Sequence, residues 1–134
     1  MATRIPRILG GGAIELRKDK KYWPQWARDA DTENGEMELI DGRPVWWGGS
    51  WRDGVWVDGD WLGGVFWDGI WMKGNLINGV WRNGDWRKGY FGRCTWHYGV
   101  FRGGEFHGLW LGGLWLGGTW DGWFEKTPAL PEMK

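Results

Sequence analysis

The residue types that most often carry out catalysis or bind metals are scarce in this chain. Among its 134 residues are one cysteine, two histidines and one serine. A single cysteine, Cys94, excludes a disulfide within the chain and a metal cluster made of cysteines alone. His97 and His107 do not make a metal site without further ligands, and neither Cys94 nor Ser50 has a convincing catalytic partner in the sequence. We therefore expect no enzyme activity, no cofactor and no bound metal.

An excess of one charge and long apolar runs are also absent. The 17 basic and 17 acidic residues give a net charge of zero. This balance argues against nucleic-acid binding through bulk charge and against an acidic mimic of DNA. No 18 apolar residues stand together, and the N-terminus lacks the apolar run of a secretory signal. We expect a cytoplasmic protein without a membrane segment.

Tryptophan and glycine, in contrast, are abundant, with 16 and 26 copies. Between residues 46 and 123, a large apolar residue followed three places later by Gly returns every five residues, as in WRDGV, WVDGD and WLGGV. A helix repeats near 3.6 residues and a strand at 2, so a period of five fits neither as a continuous element. It predicts short extended segments separated by regular corners.

The order Gly-x-Trp places Gly and Trp two positions apart, on the same side of an extended segment. We interpret this side as the interior, with Leu76 and Cys94 as variants of the large and the small inward residue. Pairs such as Asp53-Gly54 and Asn78-Gly79 mark the corners, because Asn and Asp bond to the nearby backbone and Gly tolerates positive φ.

Five-residue units with a small residue two places before a large apolar one resemble the pentapeptide-repeat family. This chain is a variant with Gly where Ala is usual and Trp where Leu or Phe is usual. The resemblance covers residues 46 to about 123. It implies a right-handed, four-sided β-helix with four units in each coil. The resulting prediction is an all-β fold, a single-stranded β-solenoid of about four coils.

Three segments follow from these patterns. We predict an irregular N-terminal cap and interaction segment over residues 1 to 45, the solenoid over 46 to 124, and an extended C-terminal tail over 125 to 134. Within the cap, Met37–Ile40, Asp41-Gly42 and Val45–Trp47 indicate a strand, a turn and the entry to the repeats. The unit Phe106–Leu109 is one residue short, which predicts a local kink or bulge.

The predicted outer surface has an uneven distribution of apolar residues. Exposed apolar patches on a small protein usually bind a partner. We expect the first coils to be covered by residues 1 to 45 or by another chain, and the last coil to dock onto a partner. The candidate interaction surface comprises Trp47, Trp67, Met72, Ile77, Leu109, Leu111, Leu114 and Leu116.

A run of basic residues in the second half could contact phosphates or an acidic partner. It comprises Arg82, Arg87, Lys88, Arg93 and Arg102. Asp85 and Glu105 lie within the same run, which favours an ordinary solvated face over a binding patch.

These observations favour a non-enzymatic structural protein, whose partners are other protein chains of an assembly, among them further copies of itself. By analogy we expect a virus or bacteriophage particle, with assembly in the host cytoplasm and a role as a cement, tail or fibre component. One alternative, which the resemblance implies, is a regulator of a nucleic-acid enzyme, since some pentapeptide-repeat proteins bind DNA gyrase by mimicking DNA. A second alternative is a carbohydrate-binding module that stacks sugars on exposed Trp.

Overall fold

The computed structural model describes residues 15 to 125 and is a β-solenoid of about five turns that follows a small N-terminal cap. The predicted all-β solenoid is confirmed. Residues 15 to 18 are helical, followed by a 3-10 helix Lys20–Tyr22 and a short α-helix Gln25–Arg28. Residues 1 to 14 of the predicted cap and 126 to 134 of the predicted tail lie outside the described residues.

The strands fall into two groups, a long hairpin and a series of two-residue strands. The hairpin comprises β1 Asp31–Ile40 and β2 Arg43–Asp53, and Asp41 and Gly42 form the predicted turn, both with positive φ. The two-residue strands are β3 Val55–Trp56, β4 Asp60–Trp61, β5 Val65–Phe66, β6 Ile70–Trp71, β7 Asn75–Leu76, β8 Val80–Trp81, β9 Asp85–Trp86, β10 Tyr90–Phe91, β11 Thr95–Trp96, β12 Val100–Phe101, β13 Glu105–Phe106, β14 Leu109–Trp110, β15 Leu114–Trp115, β16 Thr119–Trp120 and β17 Trp123–Phe124.

Each coil contains three units, so the four units per coil that the resemblance implied are wrong. Parallel pairing joins Val55 to Ile70 and Trp56 to Trp71, which are 15 positions apart. The solenoid is therefore three-sided and makes about five coils instead of about four. The physical reason lies in the filling of the core. Gly adds no side chain, so one large residue from each side fills a triangular section, whereas a square section would leave a void.

The three sides are faces A, B and C in chain order. Face A contains the Val45–Trp46 part of β2 and β4, β7, β10, β13 and β16, and face B contains the Ser50–Trp51 part of β2 and β5, β8, β11, β14 and β17. Face C contains β3, β6, β9, β12 and β15. We name the corners AB, BC and CA after the faces that they join.

The interior is a set of three aromatic columns, as the predicted inward register requires. On face C, the Trp71 ring lies 4.9 Å from Trp56 and 4.7 Å from Trp86, with planes within 11° and 8° of parallel. Rings on different faces meet edge to face, as Trp71 and Trp81 do at an interplanar angle of 75°. Offset stacks and edge contacts are the preferred aromatic geometries, worth about 0.5–1.5 kcal/mol each beyond the area that they bury.

Glycine is required at the corners because of its backbone conformation. Gly69 has a φ of +128°, and a Cβ added there would lie 2.2 Å from the carbonyl oxygen of Gly54 in the preceding coil. The Asp68 carboxylate accepts a hydrogen bond from the Gly69 N–H at 2.8 Å. The corner geometry thus explains both the Gly and the Asx that precedes it.

The shortened unit Phe106–Leu109 is accommodated by a shorter corner AB, and the parallel pairing of the strands continues through it. Leu109 pairs with Thr95, 14 positions away, and its N–H donates to the carbonyl of Cys94 at 2.8 Å. The corner below is already tightened, because the Cys94 N–H donates to the carbonyl of Gly92 only two residues back. At corner AB of the last coil, Gly122 follows the same shortened path above Gly108. The predicted irregularity therefore recurs one coil later.

Residues of the cap close the N-terminal end of the core. Strand β1 pairs antiparallel with β2 along the start of faces A and B, and Met37 is buried. The Trp23 ring packs edge to face on Trp46 at 5.7 Å, and Trp26 packs on Trp56 at 5.2 Å. The aromatic columns at this end are therefore covered, β1 covers the strand edges of faces A and B, and the Gln25–Arg28 helix lies against β3 on face C.

Candidate interaction surfaces

The C-terminal end of the solenoid is open within the described part of the chain. Trp110, Trp115, Trp120 and Phe124 surround a hollow of about 400 Å³, together with Gly113. Residues at equivalent positions in the lower coils, such as Trp86 and Phe106, are fully buried. Trp120, in contrast, is 39% exposed. The open end is thus an apolar surface formed by core residues that have no coil above them.

Backbone hydrogen-bonding groups accompany the exposed rings. In the coil below, the carbonyls of Gly99 and Phe101 accept from the N–H groups of Leu114 and Leu116 at 2.8 Å. The corresponding carbonyls of Gly113 and Trp115 receive no backbone N–H from residues 15 to 125. Strands β15, β16 and β17 are the edges of their sheets at this end. Unpaired edges of this kind readily pair with another strand.

Four leucines encircle the last coils and extend the apolar surface onto the sides. Leu109 and Leu114 occupy outer positions on faces B and C, and Leu111 and Leu116 lie at corners BC and CA. Leu114 and Leu116 are each 53% exposed. The structure therefore places this half of the predicted surface around the open end.

The other predicted apolar residues do not form one patch. Trp47 and Ile77 lie at corner AB, Trp67 at corner BC and Met72 at corner CA. Trp47 is partly covered, because its indole N–H donates to Glu38 at 2.7 Å and Arg17 lies 4.2 Å from the ring centroid. Trp67, Met72 and Ile77 stay 44%, 38% and 46% exposed. The described part of the cap, residues 15 to 45, thus covers the first coil's end and Trp47, and not the other three residues.

The basic run is divided among the corners. Arg82 lies at corner BC, 5.3 Å from the centroid of the Trp67 ring, and Arg93 lies at corner AB, 5.3 Å from that of Trp123. Only Arg87, Lys88 and Arg102 share corner CA.

At corner CA the charge is locally balanced. The Asp85 carboxylate accepts hydrogen bonds from Arg87 at 3.2 Å and from Arg102 at 2.8 Å. The bond from Arg102, together with the charge of Asp85, raises the pKa of Arg102. Because the cations are spread over three corners and partly paired, the structure does not assemble the five residues into an anion-binding patch.

The surroundings of the Cys94 thiol and the His97 imidazole are those of structural residues. Burial raises the pKa of the Cys94 thiol to about 12, and the Sγ lies 3.3 Å from the carbonyl oxygen of Ile77, to which it can donate. Such a thiol is a poor nucleophile at neutral pH. Burial lowers the pKa of His97, and the charge of Arg82 lowers it further. Residues 15 to 125 contain no cluster of three His, Cys, Asp or Glu able to hold a metal, and no helix among them is long and apolar enough to cross a membrane.

Sequence reasoning did not single out the aromatic residues at the open end. Trp110, Trp115, Trp120 and Phe124 follow the inward register, which predicts a buried core position. The available signal was their place in the last described coil, since the five-residue pattern ends at Phe124.

Comparison of the chain with protein-family models, with curated proteins and with solved structures gave no match. The resemblance to the pentapeptide-repeat family therefore stays a prediction.

Proposed function

We propose that this chain is a non-enzymatic structural module that docks into a larger protein assembly through its open C-terminal end. The observation that carries the proposal is the contrast between the two ends. Trp23, Trp26 and β1 close the N-terminal end, whereas Trp115, Trp120 and the edges of β15 to β17 are uncovered among the described residues. A solenoid end of this kind needs a cap, and a partner protein can supply one.

The electrostatics favour a protein partner over a nucleic acid. Residues 109 to 124 carry one charged side chain, Asp121, which bonds to His107 at 3.1 Å. An interface core is typically depleted of charge and enriched in aromatic residues. Nucleic-acid binding, in contrast, depends on clustered cations, and the basic run from Arg82 to Arg102 is divided among three corners.

The assembly that we propose is a virus or bacteriophage particle, where a short rigid rod with one closed end can serve as a cement, tail or fibre component. A rod of closely stacked coils suits such a role. The proposal of a particle rests on analogy with small repeat proteins in virions.

Co-sedimentation with intact particles tests this function. A tagged copy of the chain should enter particles that assemble in its host cell, in a fixed ratio to the major structural protein. Leu116→Glu at the open end should reduce incorporation by about tenfold, because a charge would be buried at the interface. Val57→Glu is the matched control, since Val57 is also exposed and lies in the first coil, at the opposite end, and it should enter normally. A chain that never co-sediments, or a control variant that is lost equally, would contradict the proposal.

A further inference from the structure

We infer that the open C-terminal end binds the same end of a second copy of this chain, giving a closed dimer with two-fold symmetry. This inference rests on the proposed function, because it names the occupant of the docking end, and the dimer is then the unit that joins the assembly. It does not depend on the type of assembly in which the dimer resides.

The shape of the end makes it complementary to itself. The strand edges at the end of a solenoid rise as a helical ramp, here formed by β15, β16 and β17 on faces C, A and B. A uniform helix has two-fold axes perpendicular to its own axis. Two ramps of the same hand therefore fit together when one copy is rotated by 180° about such an axis. This is the isologous geometry of most homodimers.

The same rotation makes the facing strands antiparallel. Antiparallel edges can exchange N–H···O=C bonds across an interface, as in strand addition between proteins. The carbonyls of Gly113, Trp115, Gly118 and Trp120, which receive no described backbone N–H, would face backbone groups of the second copy. The hollow bounded by Trp110, Trp115, Trp120 and Phe124 would then lie between two layers of rings.

The exposed area suits a dimer at the small end of stable interfaces. Leu111, Leu114 and Leu116 are 39%, 53% and 53% exposed, and Trp120 and Trp123 are 39% and 41% exposed. With the partly exposed rings beside them, these side chains offer on the order of 600 Å² per copy, against about 800 Å² in a standard interface. Residues 109 to 124 carry only Asp121 as a charge, so two copies would not repel each other strongly.

The closed N-terminal end limits self-association to two copies. Head-to-tail contacts between solenoids would produce an open filament, but β1 already occupies the N-terminal edges of faces A and B, and the Gln25–Arg28 helix with its Trp26 ring lies against β3 on face C. Contact between two C-terminal ends uses the only end that is open in the described chain and leaves no further edge of that kind.

Sedimentation equilibrium of the full chain tests the inference over a concentration series. We expect a reversible dimer of twice the 15.5 kDa chain mass. The double variant Leu114→Glu/Leu116→Glu should weaken the dimer by about 100-fold, since both leucines are exposed and each copy would bring two charges to the interface. The Val57→Glu variant, in the first coil, should dimerise like the parent. Circular dichroism and tryptophan emission verify that each variant is folded.

A fluorescent dye that binds apolar surfaces distinguishes failure of the dimer proposal from failure of the proposal that the C-terminal end docks onto a partner. If the chain is monomeric at every concentration, the proposal that a second copy occupies the end is wrong. If that monomer binds the dye and the double variant does not, the end still serves another partner, and the proposed function stands. A monomer that binds no dye has its end covered by its own chain, which overturns both proposals. A dimer that Val57→Glu disrupts and the double variant does not would place the contact elsewhere and also overturn this inference.

Discussion

The rings of Phe66 and Trp81 lie parallel, with centroids 4.2 Å apart and planes 3° from each other. The two residues are 15 positions apart and belong to successive coils of face B. Trp96 stacks on the other side of Trp81 at 4.8 Å, so the indole lies within a continuous column of rings. The stability of the fold therefore depends on contacts between coils, which a single five-residue unit cannot make.

Removal of the Trp81 ring should be strongly destabilising. We expect Trp81→Ala to lower the free energy of unfolding by about 3–5 kcal/mol, because it leaves a cavity in the centre of the core. Trp67→Ala, at an exposed outer position, should cost less than about 1 kcal/mol. Chemical denaturation followed by circular dichroism measures both. Similar losses for the two variants would show that the inward register is wrong.

The indole N–H groups allow a sharper comparison within one column. The Trp86 N–H donates to the carbonyl of Gly103 at 3.1 Å, whereas the Trp71 N–H is buried with no hydrogen-bond partner among residues 15 to 125. Trp86→Phe removes a hydrogen bond and leaves the Gly103 carbonyl without this donor. Trp71→Phe removes only an N–H group that makes no hydrogen bond in the described chain. We expect Trp86→Phe to cost about 1–2 kcal/mol more than Trp71→Phe in chemical denaturation. The opposite order would contradict the hydrogen-bond assignment.

Substitution of a corner glycine should be as severe as loss of a core ring. Gly69→Ala places a Cβ against the Gly54 carbonyl at a φ of +128°, so we expect a loss of more than about 3 kcal/mol or no folded protein. Gly48→Ala is the control, because nothing lies within 4 Å of its added Cβ and its φ is not in the left-handed region. That variant should stay within about 0.5 kcal/mol of the parent. Thermal unfolding of both variants reports the difference.

The ion pair between Arg43 of the cap and Asp60 of the second coil should make stability depend on acid. Arg43 bonds to Asp60 at 2.9 Å, and this hydrogen bond, together with one from Asn75 and the charge of Arg43, lowers the pKa of Asp60. A lowered pKa means that the unfolded state binds the proton more tightly. The contribution is present above the ordinary Asp value of 3.8 and is lost as the pH falls through the lower, folded value.

Asp60→Asn should therefore lose about 0.5–1 kcal/mol at pH 7, a modest amount because the pair is partly exposed to solvent. The difference from the parent should shrink as the pH falls below 3.8. Urea denaturation at several pH values measures it. Asp68→Asn is the control, since Asn83 occupies the equivalent corner position one coil later. A difference that persists unchanged in acid would rule out the charge of Asp60 as its source.

The Cys94 thiol should resist labelling in the folded protein. Burial raises its pKa to about 12 from an ordinary value of 9.0, which leaves about a thousandfold less thiolate at neutral pH. We expect a thiol reagent to modify Cys94 readily in denaturant and at least about 1,000-fold more slowly in buffer. Tyr98→Cys, at a site where the native side chain is 63% exposed, supplies a fast-reacting control. Fast labelling of Cys94 in the parent would contradict its burial.

Local features of the fold were predictable from particular residues. The Asp41-Gly42 turn, the inward aromatics and the Asx-Gly corners follow from residue type and spacing, which act over a few positions. Leu76 and Cys94 were also predicted to be core variants, and both are buried. The shortened unit at Phe106 was visible in the sequence, but its repetition at Gly122 depends on the coil below.

The candidate site was less predictable, because its residues share no local pattern. The leucines from Leu109 to Leu116 were recognised by their outer register. Trp110, Trp115, Trp120 and Phe124 carry the same inward signal as buried rings, and only the absence of a coil above them in the described chain turns them into surface. The basic residues from Arg82 to Arg102 are close in sequence, yet successive corners of the three-sided solenoid direct them to different sides.

The sequence by itself determined a β-solenoid with aromatic residues inside and glycine at every regular corner, since a strict five-residue period permits neither a helix nor a long strand. Tertiary structure decided that three units close a coil, because three rings in edge contact fill a triangular section. It also decided which cations find an acidic partner, as Arg102 does with Asp85 one coil below. Finally, within residues 15 to 125, it left one end closed and one end open. These outcomes depend on residues about 15 positions apart, whose contacts exist only after the coils have stacked.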